Sequence, residues 1–397
     1  MALLASDRKD NRRRGTTVKL YRAGLVAGLL AGALALGACS SSGGGTQTTP
    51  PADSGGGGSS SSDSGGGGGG IACSSGQLNG SGSTAQTNAM DAWRKAYQQA
   101  CSGAQINYDD VGSGDGIAAF SDGSADWAGS DAALNPQDEA PAAQKQCGST
   151  PLDLPMVVGP VAIIYKVGDL QDLTLNGATI AKIFTGKITK WNDPAIKALN
   201  SGVDLPSTTI TPFYRSDDSG TTFNFASYLS AVDKKDFPAT PDKVSAGLGF
   251  KGQGREGSQG IADAVTQTDG GIGYAEFSYA VKASLPTAKI DSGSGPVELS
   301  KDTASKAVST AKVVGTGDDL SLSIDYGQNT PGAYPLVLVT YEIVCTKYKD
   351  SATGTFVKNF LNYTISDQGQ GILPGLGYAP VPTNIAAQVK ASIAKVG

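Results

Sequence analysis

Apolar residues along this chain fall into two patterns. Largely apolar runs bounded by Gly, Pro, Ser or Asp, at residues 105–108, 155–165, 209–214, 271–274 and 334–345, predict buried strands. Between them apolar side chains recur at helical spacing: Met90, Trp93 and Tyr97 at i, i+3 and i+7, then Phe225, Tyr228, Leu229 and Val232. Alternation of strand and helix predicts an α/β architecture with mostly parallel sheets. Residues 71–397 are enough for two halves of ordinary domain size, and no internal repeat runs through them.

The first 38 residues break this pattern. They hold seven Lys or Arg, including Arg12, Arg13, Arg14, Lys19 and Arg22, against two Asp, and then run apolar from Ala23 to Ala38. That order predicts a signal peptide, and its apolar stretch is too short and too rich in Ala and Gly for a membrane span. It ends in Leu36-Gly37-Ala38-Cys39, which resembles the bacterial lipoprotein processing box and implies cleavage before Cys39 and acylation, as by palmitate, to hold the protein at the cell membrane. Arg12 to Arg14 leave twin-arginine export open. Residues 39–70 are then the acylated cysteine and a tract of Ser, Gly, Thr and Pro that buries too little apolar surface to offset its ordering entropy, so a tether is expected there.

Removing the leader's charges leaves 24 basic against 34 acidic residues, a net charge near −10, which argues against nucleic acid as a partner. A bound anion would have to be held by local dipoles and hydrogen bonds against that overall field. Histidine is absent, which excludes a Ser-His-Asp triad, a zincin helix and any His-ligated metal. The four cysteines after Cys39 stand at 73, 101, 147 and 345, none in a CxxC pair, and in an exported protein such a set suggests two disulfides. Of three possible pairings, Cys73 with Cys101 and Cys147 with Cys345 is favoured.

Candidate chemistry comes from one arrangement that occurs three times. Gly80-Ser81-Gly82-Ser83-Thr84 precedes the helix of Trp93; Gly112-Ser113-Gly114-Asp115-Gly116 follows the strand at 106–111; Asp218-Ser219-Gly220-Thr221 follows the strand that ends near Tyr214. Each offers backbone N–H groups, a hydroxyl and the positive end of a helix dipole, with glycine allowing close approach. One such loop alone is ordinary helix capping, but three together, with Arg215 nearby, point to a shared oxyanion site.

The chain resembles the phosphate-binding proteins of high-affinity phosphate ABC importers from about Gly80 to Pro382. Besides the loops above, the resemblance rests on Ala128-Gly129-Ser130-Asp131, Ile183-Phe184-Thr185-Gly186-Lys187-Ile188 with Trp191-Asn192-Asp193-Pro194, Arg215-Ser216-Asp217-Asp218-Ser219-Gly220-Thr221, Gly270-Gly271-Ile272-Gly273-Tyr274 and Gly377-Tyr378-Ala379-Pro380. It implies a two-lobe periplasmic-binding-protein fold of type II, lobe I at 71–157 plus 330–397 and lobe II at 158–329, crossing near 155–158 and 329–335. The implied contacts to inorganic phosphate are Thr84, the N–H of Ala85, Ser113, Asp131, Arg215, Ser219, Gly220 and Thr221, with Asp217 pairing Arg215. Ala85 stands where the family often has an aromatic residue, and Asp218 where it commonly has glycine.

In that reading the protein is an extracytoplasmic monomer that delivers phosphate to the importer's permease, needs no cofactor and catalyses nothing. Asp131 carries the selectivity, because a carboxylate facing an anion repels it unless the anion offers a proton, as phosphate does and sulfate does not. Three rivals stay open: a binder of sulfate or molybdate, a secreted phosphomonoesterase, and an adhesin or sensor with retained binding. Gly252-Gln253-Gly254-Arg255-Glu256-Gly257 fits GxGxxG but lacks a βαβ context and is expected to be a loop. The aromatic segment 274–279 is expected to be core.

Overall fold

The computed structural model describes residues 70–241 and 243–397. The expected signal peptide, Cys39 and nearly all of the expected Gly/Ser tether lie outside the described residues.

Eight strands form one sheet: Gly76–Gly82 (β1), Ala104–Asp109 (β2), Trp127–Ser130 (β3), Pro151–Lys166 (β4), Thr211–Arg215 (β5), Gln253–Arg255 (β6), Gly271–Glu276 (β7) and Val337–Cys345 (β8). Their order is β2-β1-β3-β8-β4-β7-β5-β6. At one end β1 pairs in parallel with β2 and β3, because the helices Thr87–Ala100 (α1) and Ser113–Asp122 (α2) carry the chain back between strands. At the other end β5 pairs in parallel with β6 and β7, with helices Gly220–Val232 (α3) and Gly257–Gln267 (α4) following β5 and β6.

The centre departs from the expected parallel sheet. There β8 runs antiparallel to β3 and to β4, and β4 antiparallel to β7. These two strands are the longest apolar runs of the sequence; every residue of β8 and all but the end residues of β4 are buried. Strands covered on both faces need no polar alternation, which is why the runs read as continuous. Val337 lies opposite Pro160 and Cys345 opposite Pro151, with a register shift between Thr340 and Tyr341.

Packing divides into three buried clusters. Leu78, Met90, Trp93, Tyr97, Leu154 and Phe360 belong to one, so the predicted face of α1 is its buried face. Each such side chain contributes ~1.5–3 kcal/mol through removal from water. Ile117, Phe120, Val158 and Val339 belong to a second, and Val161, Phe184, Trp191, Phe225 and Tyr274 to a third. Ala304 and Val308 sit in the second cluster and Leu320 in the first, whereas the third runs from Val161 to Leu299 with Ala85, Tyr334, Leu336 and Leu338 added.

Two disulfides are present, Cys73 to Cys101 and Cys147 to Cys345, the pairing favoured from sequence. The stretch 252–257, expected to be a loop, instead contains edge strand β6 and the first residue of α4. Its periodicity was hidden because an edge strand of three residues carries no apolar alternation. No helix among the described residues is long and apolar enough to cross a membrane.

Candidate ligand-binding site

The carboxyl ends of the parallel strands β1, β2 and β3 open on one side of the site, and β5, which runs the opposite way beyond the antiparallel centre, brings its carboxyl end to it from the other side. From β1 the chain passes through Gly82 (φ +144°) to Ser83 and Thr84; a side chain at Gly82 would strike the carbonyl of Gly129. From β2 it passes through Gly112 to Ser113, the first residue of α2. From β3 it reaches Asp131, and from β5 it delivers Arg215 and then Ser219, the N-cap of α3. Gly220 must be glycine for packing reasons, since a Cβ there would lie 2.5 Å from Ser113 Oγ and 2.7 Å from Asp131 Cβ. The three Gly/Ser loops singled out in the sequence therefore meet.

Arg215 is the buried cation of the site, 1% exposed. Its Nε donates to Asp217 Oδ1 at 2.7 Å, its Nη2 donates to Asp217 Oδ2, and its Nη1 reaches Ser258 Oγ at 3.3 Å. Asp217 Oδ1 also accepts from the N–H of Gly257 at the start of α4. The guanidinium is thus fixed by a fork-to-fork pair and retains one N–H on each terminal nitrogen for another acceptor. Behind it Tyr274 Oη accepts from the Arg215 N–H at 3.1 Å, so this ring belongs both to the core and to the support of the site.

The hydroxyls show a consistent polarity. Ser113 Oγ accepts from the N–H groups of Asp131 and Gly220, both at 3.2 Å. Ser219 Oγ accepts from the N–H of Thr222, and Thr84 Oγ1 accepts from the N–H of Ser258 at 3.1 Å. With backbone amides on their acceptor sides, the Ser113 and Ser219 hydroxyls are left to donate outward, while Thr84 Oγ1 also lies 2.9 Å from Ser258 Oγ, a bond in which either hydroxyl can be the donor. Thr221 differs, its Oγ1 donating to Asp131 Oδ2 at 3.1 Å.

Asp131 is buried and fully engaged. Oδ1 accepts from Ser83 Oγ at 2.6 Å and Thr340 Oγ1 at 2.8 Å, while its carbonyl accepts from Asn224 Nδ2 at 2.6 Å. Burial pushes its carboxyl up from the ordinary value; the Ser83 and Thr340 hydroxyls, the Arg215 charge and the Thr221 hydroxyl pull it back down. Glu276 and Glu342, fully buried on β7 and β8, are both pushed up to about 8, chiefly by burial.

Every residue expected at the site lies in this cluster, with two qualifications of role. The N–H of Ala85 donates to Ser83 Oγ at 3.0 Å, and the N–H of Gly220 to Ser113 Oγ, so each has a partner within the protein. Asp218 is exposed, and only its carbonyl takes part, accepting from the N–H of Gly114 at 2.9 Å. Sequence reasoning missed Ser83, Ser258 and Thr340. Ser83 stood inside a recognised loop, whereas Ser258 followed the dismissed GxGxxG stretch and Thr340 lay in an apolar run with no local signal.

Residues 68–368 match the PBP superfamily domain. The chain is 41% identical over 385 residues to phosphate-binding protein PstS 3 of Mycobacterium tuberculosis strain ATCC 25618 / H37Rv, covering 95% of this chain and 99% of the relative. It is 41% identical over 323 residues to phosphate-binding protein PstS 2 of the same strain, covering 80% and 86%. A high-affinity periplasmic phosphate-binding protein solved with phosphate, PfluDING, shares the fold at a TM-score of 0.66 and 22% identity, covering 79% of this chain and 93% of its own. The phosphate-binding protein of Stenotrophomonas maltophilia does so at 0.62 and 20%, covering 80% and 94%. The chain belongs to the PBP superfamily and, within it, to the PstS family of phosphate-binding proteins.

Proposed function

We propose that this protein captures inorganic phosphate outside the cytoplasm and hands it to the membrane permease of an ATP-driven importer. The observation that carries the reading is the polarity of the site. Ser113 and Ser219 present donor protons, Thr84 adds a third hydroxyl, Arg215 presents two free N–H groups, and Asp131 is a carboxylate with no cation paired to it, Asp217 being taken up by Arg215. A protonated tetrahedral oxyanion complements that set: its bare oxygens accept, and its hydroxyl donates to Asp131. Thr221, Gly220 and Ala85 complete the set, with the two amides sharing their protons between their internal partners and the anion, and Asp217 holds Arg215 in aim.

Two halves clamp the ligand in this reading, the first and last segments on one side and residues 158 to about 300 on the other. The chain crosses between them on β4 and β8, and the closed form is what the permease engages. Upstream, Leu36-Gly37-Ala38-Cys39 supports lipid attachment at Cys39.

Calorimetric titration of the purified, phosphate-stripped protein with phosphate, arsenate and sulfate tests the reading. Phosphate and arsenate, which carry protons, bind; sulfate does not. Equal affinity for sulfate and phosphate, or no affinity for phosphate, would overturn it.

A further inference from the structure

Asp131 is immobilised at every polar atom, and the arrangement treats its two carboxylate oxygens differently. Oδ1 receives two hydroxyl protons, from Ser83 at 2.6 Å and Thr340 at 2.8 Å; Oδ2 receives one, from Thr221 at 3.1 Å. Ser83 in turn accepts from the N–H of Ala85, which fixes its rotor so that its proton goes to Asp131. Thr340 sits where the β8–β4 register shifts, and such an irregularity re-aims a side chain that a regular strand would point elsewhere. Both residues are buried, as is Asp131. A carboxylate oxygen that already accepts two hydrogen bonds has no direction left for a proton, whereas Oδ2 has one.

We infer that Ser83 and Thr340 are specificity-determining positioning residues: by saturating Oδ1 they keep Asp131 an acceptor and leave Oδ2 as its one open position, so that the site admits only an anion that brings its own proton. The inference rests on the reading of this cluster as the phosphate site. Its consequence concerns pH. A carboxyl buried this deeply tends to the neutral acid, and a neutral Asp131 would donate a hydrogen bond, which suits fully deprotonated sulfate. The charged and titratable groups around it are Arg215 on β5, which favours the carboxylate, and Glu276 on β7, Glu342 on β8, Tyr108 on β2 and Tyr326, which oppose it when ionised. Only the hydroxyls stand between burial and a neutral Asp131 besides Arg215.

The test is the phosphate and sulfate affinity of the full-length protein from about pH 5 to about pH 8, measured for the natural chain, Ser83→Ala, Thr340→Val, the double variant and the hydroxyl-retaining Thr340→Ser. The natural chain should reject sulfate across the range. The double variant should gain at least about tenfold in sulfate affinity toward the acidic end and lose less than about tenfold for phosphate. Thr340→Ser should behave as the natural chain, which a purely space-filling role for Thr340 would not produce. If the double variant is poorly folded by circular dichroism, each single variant should show the same trend at smaller size. Superimposable sulfate profiles for variants and natural chain, with phosphate binding intact, would overturn the inference alone. Failure of the natural chain to bind phosphate would overturn the underlying reading and the inference with it.

Discussion

Thr84 and Ser258, 174 residues apart in the chain, are joined twice: their hydroxyl oxygens lie 2.9 Å apart, and the N–H of Ser258 donates to Thr84 Oγ1 at 3.1 Å. Ser258 Oγ also accepts from Arg215 Nη1. One serine at the head of α4 thus ties the β1 loop to the guanidinium delivered by β5. Tyr279 reinforces the same contact, its hydroxyl donating to the carbonyl of Thr84 at 2.6 Å.

Ser258→Ala should therefore weaken phosphate binding by about tenfold, the size of one net hydrogen bond of this kind. The backbone N–H survives the substitution, so the loss should appear mostly as faster release. Stopped-flow measurement of release separates this from a change in association, and an unchanged release rate would place Ser258 outside the clamp.

Arg215 is the only buried cation described at the site, and its removal would leave the largely covered Asp217 carboxylate with only the Gly257 N–H. Arg215→Ala should cost at least about 2–5 kcal/mol of phosphate affinity. Asp217→Asn keeps the guanidinium but loosens its aim and should cost less, about 1–2 kcal/mol. Calorimetry of both variants checks the order; a loss below about 1 kcal/mol for Arg215→Ala would assign it the weight of a surface ion pair.

Glu276 and Glu342 imply a definite pH dependence of stability. Each has an ordinary value of 4.5 and is pushed up to about 8 in the folded protein. Between those values the folded state keeps protons that the unfolded chain has released, so stability falls as pH rises. The slope is about 1.4 kcal/mol per pH unit for each such group, flattening above the folded value. Asp153, also pushed up to about 8 by burial and by Asp319, adds to the same trend. Thermal melts should be higher near pH 5 than near pH 8, and Glu342→Gln should flatten the difference. A melting temperature that rises steadily over that interval would contradict these assignments.

Lipid attachment at Cys39 predicts that cells fed an alkyne-bearing fatty acid label the natural protein. Cys39→Ser should lose the label. Labelling that persists would move the attachment elsewhere.

Much of the architecture was legible because buried strands and amphipathic helices write their burial into residue order. The run at 334–345 became β8, and Met90, Trp93 and Tyr97 lie on the buried face of α1. β1 was hidden, since its Gly and Ser residues must let Trp127 and the carbonyl of Gly129 approach closely and so lack the apolar pattern of a strand. The antiparallel centre was hidden as well, because an apolar run has no direction in it.

By itself the chain order settled which residues have the chemistry for an oxyanion: hydroxyls after glycines at helix starts, an arginine with its aspartate two residues on, and a lone aspartate at the end of β3. Those are local matters of capping, backbone freedom and charge, expressed within a few residues. Tertiary structure alone decided where each proton points. Whether Ser113 accepts from Gly220, whether Ser258 meets Thr84, and whether Thr340 turns toward Asp131 depend on strands crossing between segments more than a hundred residues apart. Hydrogen-bond direction is a property of such meetings, and no single segment contains it.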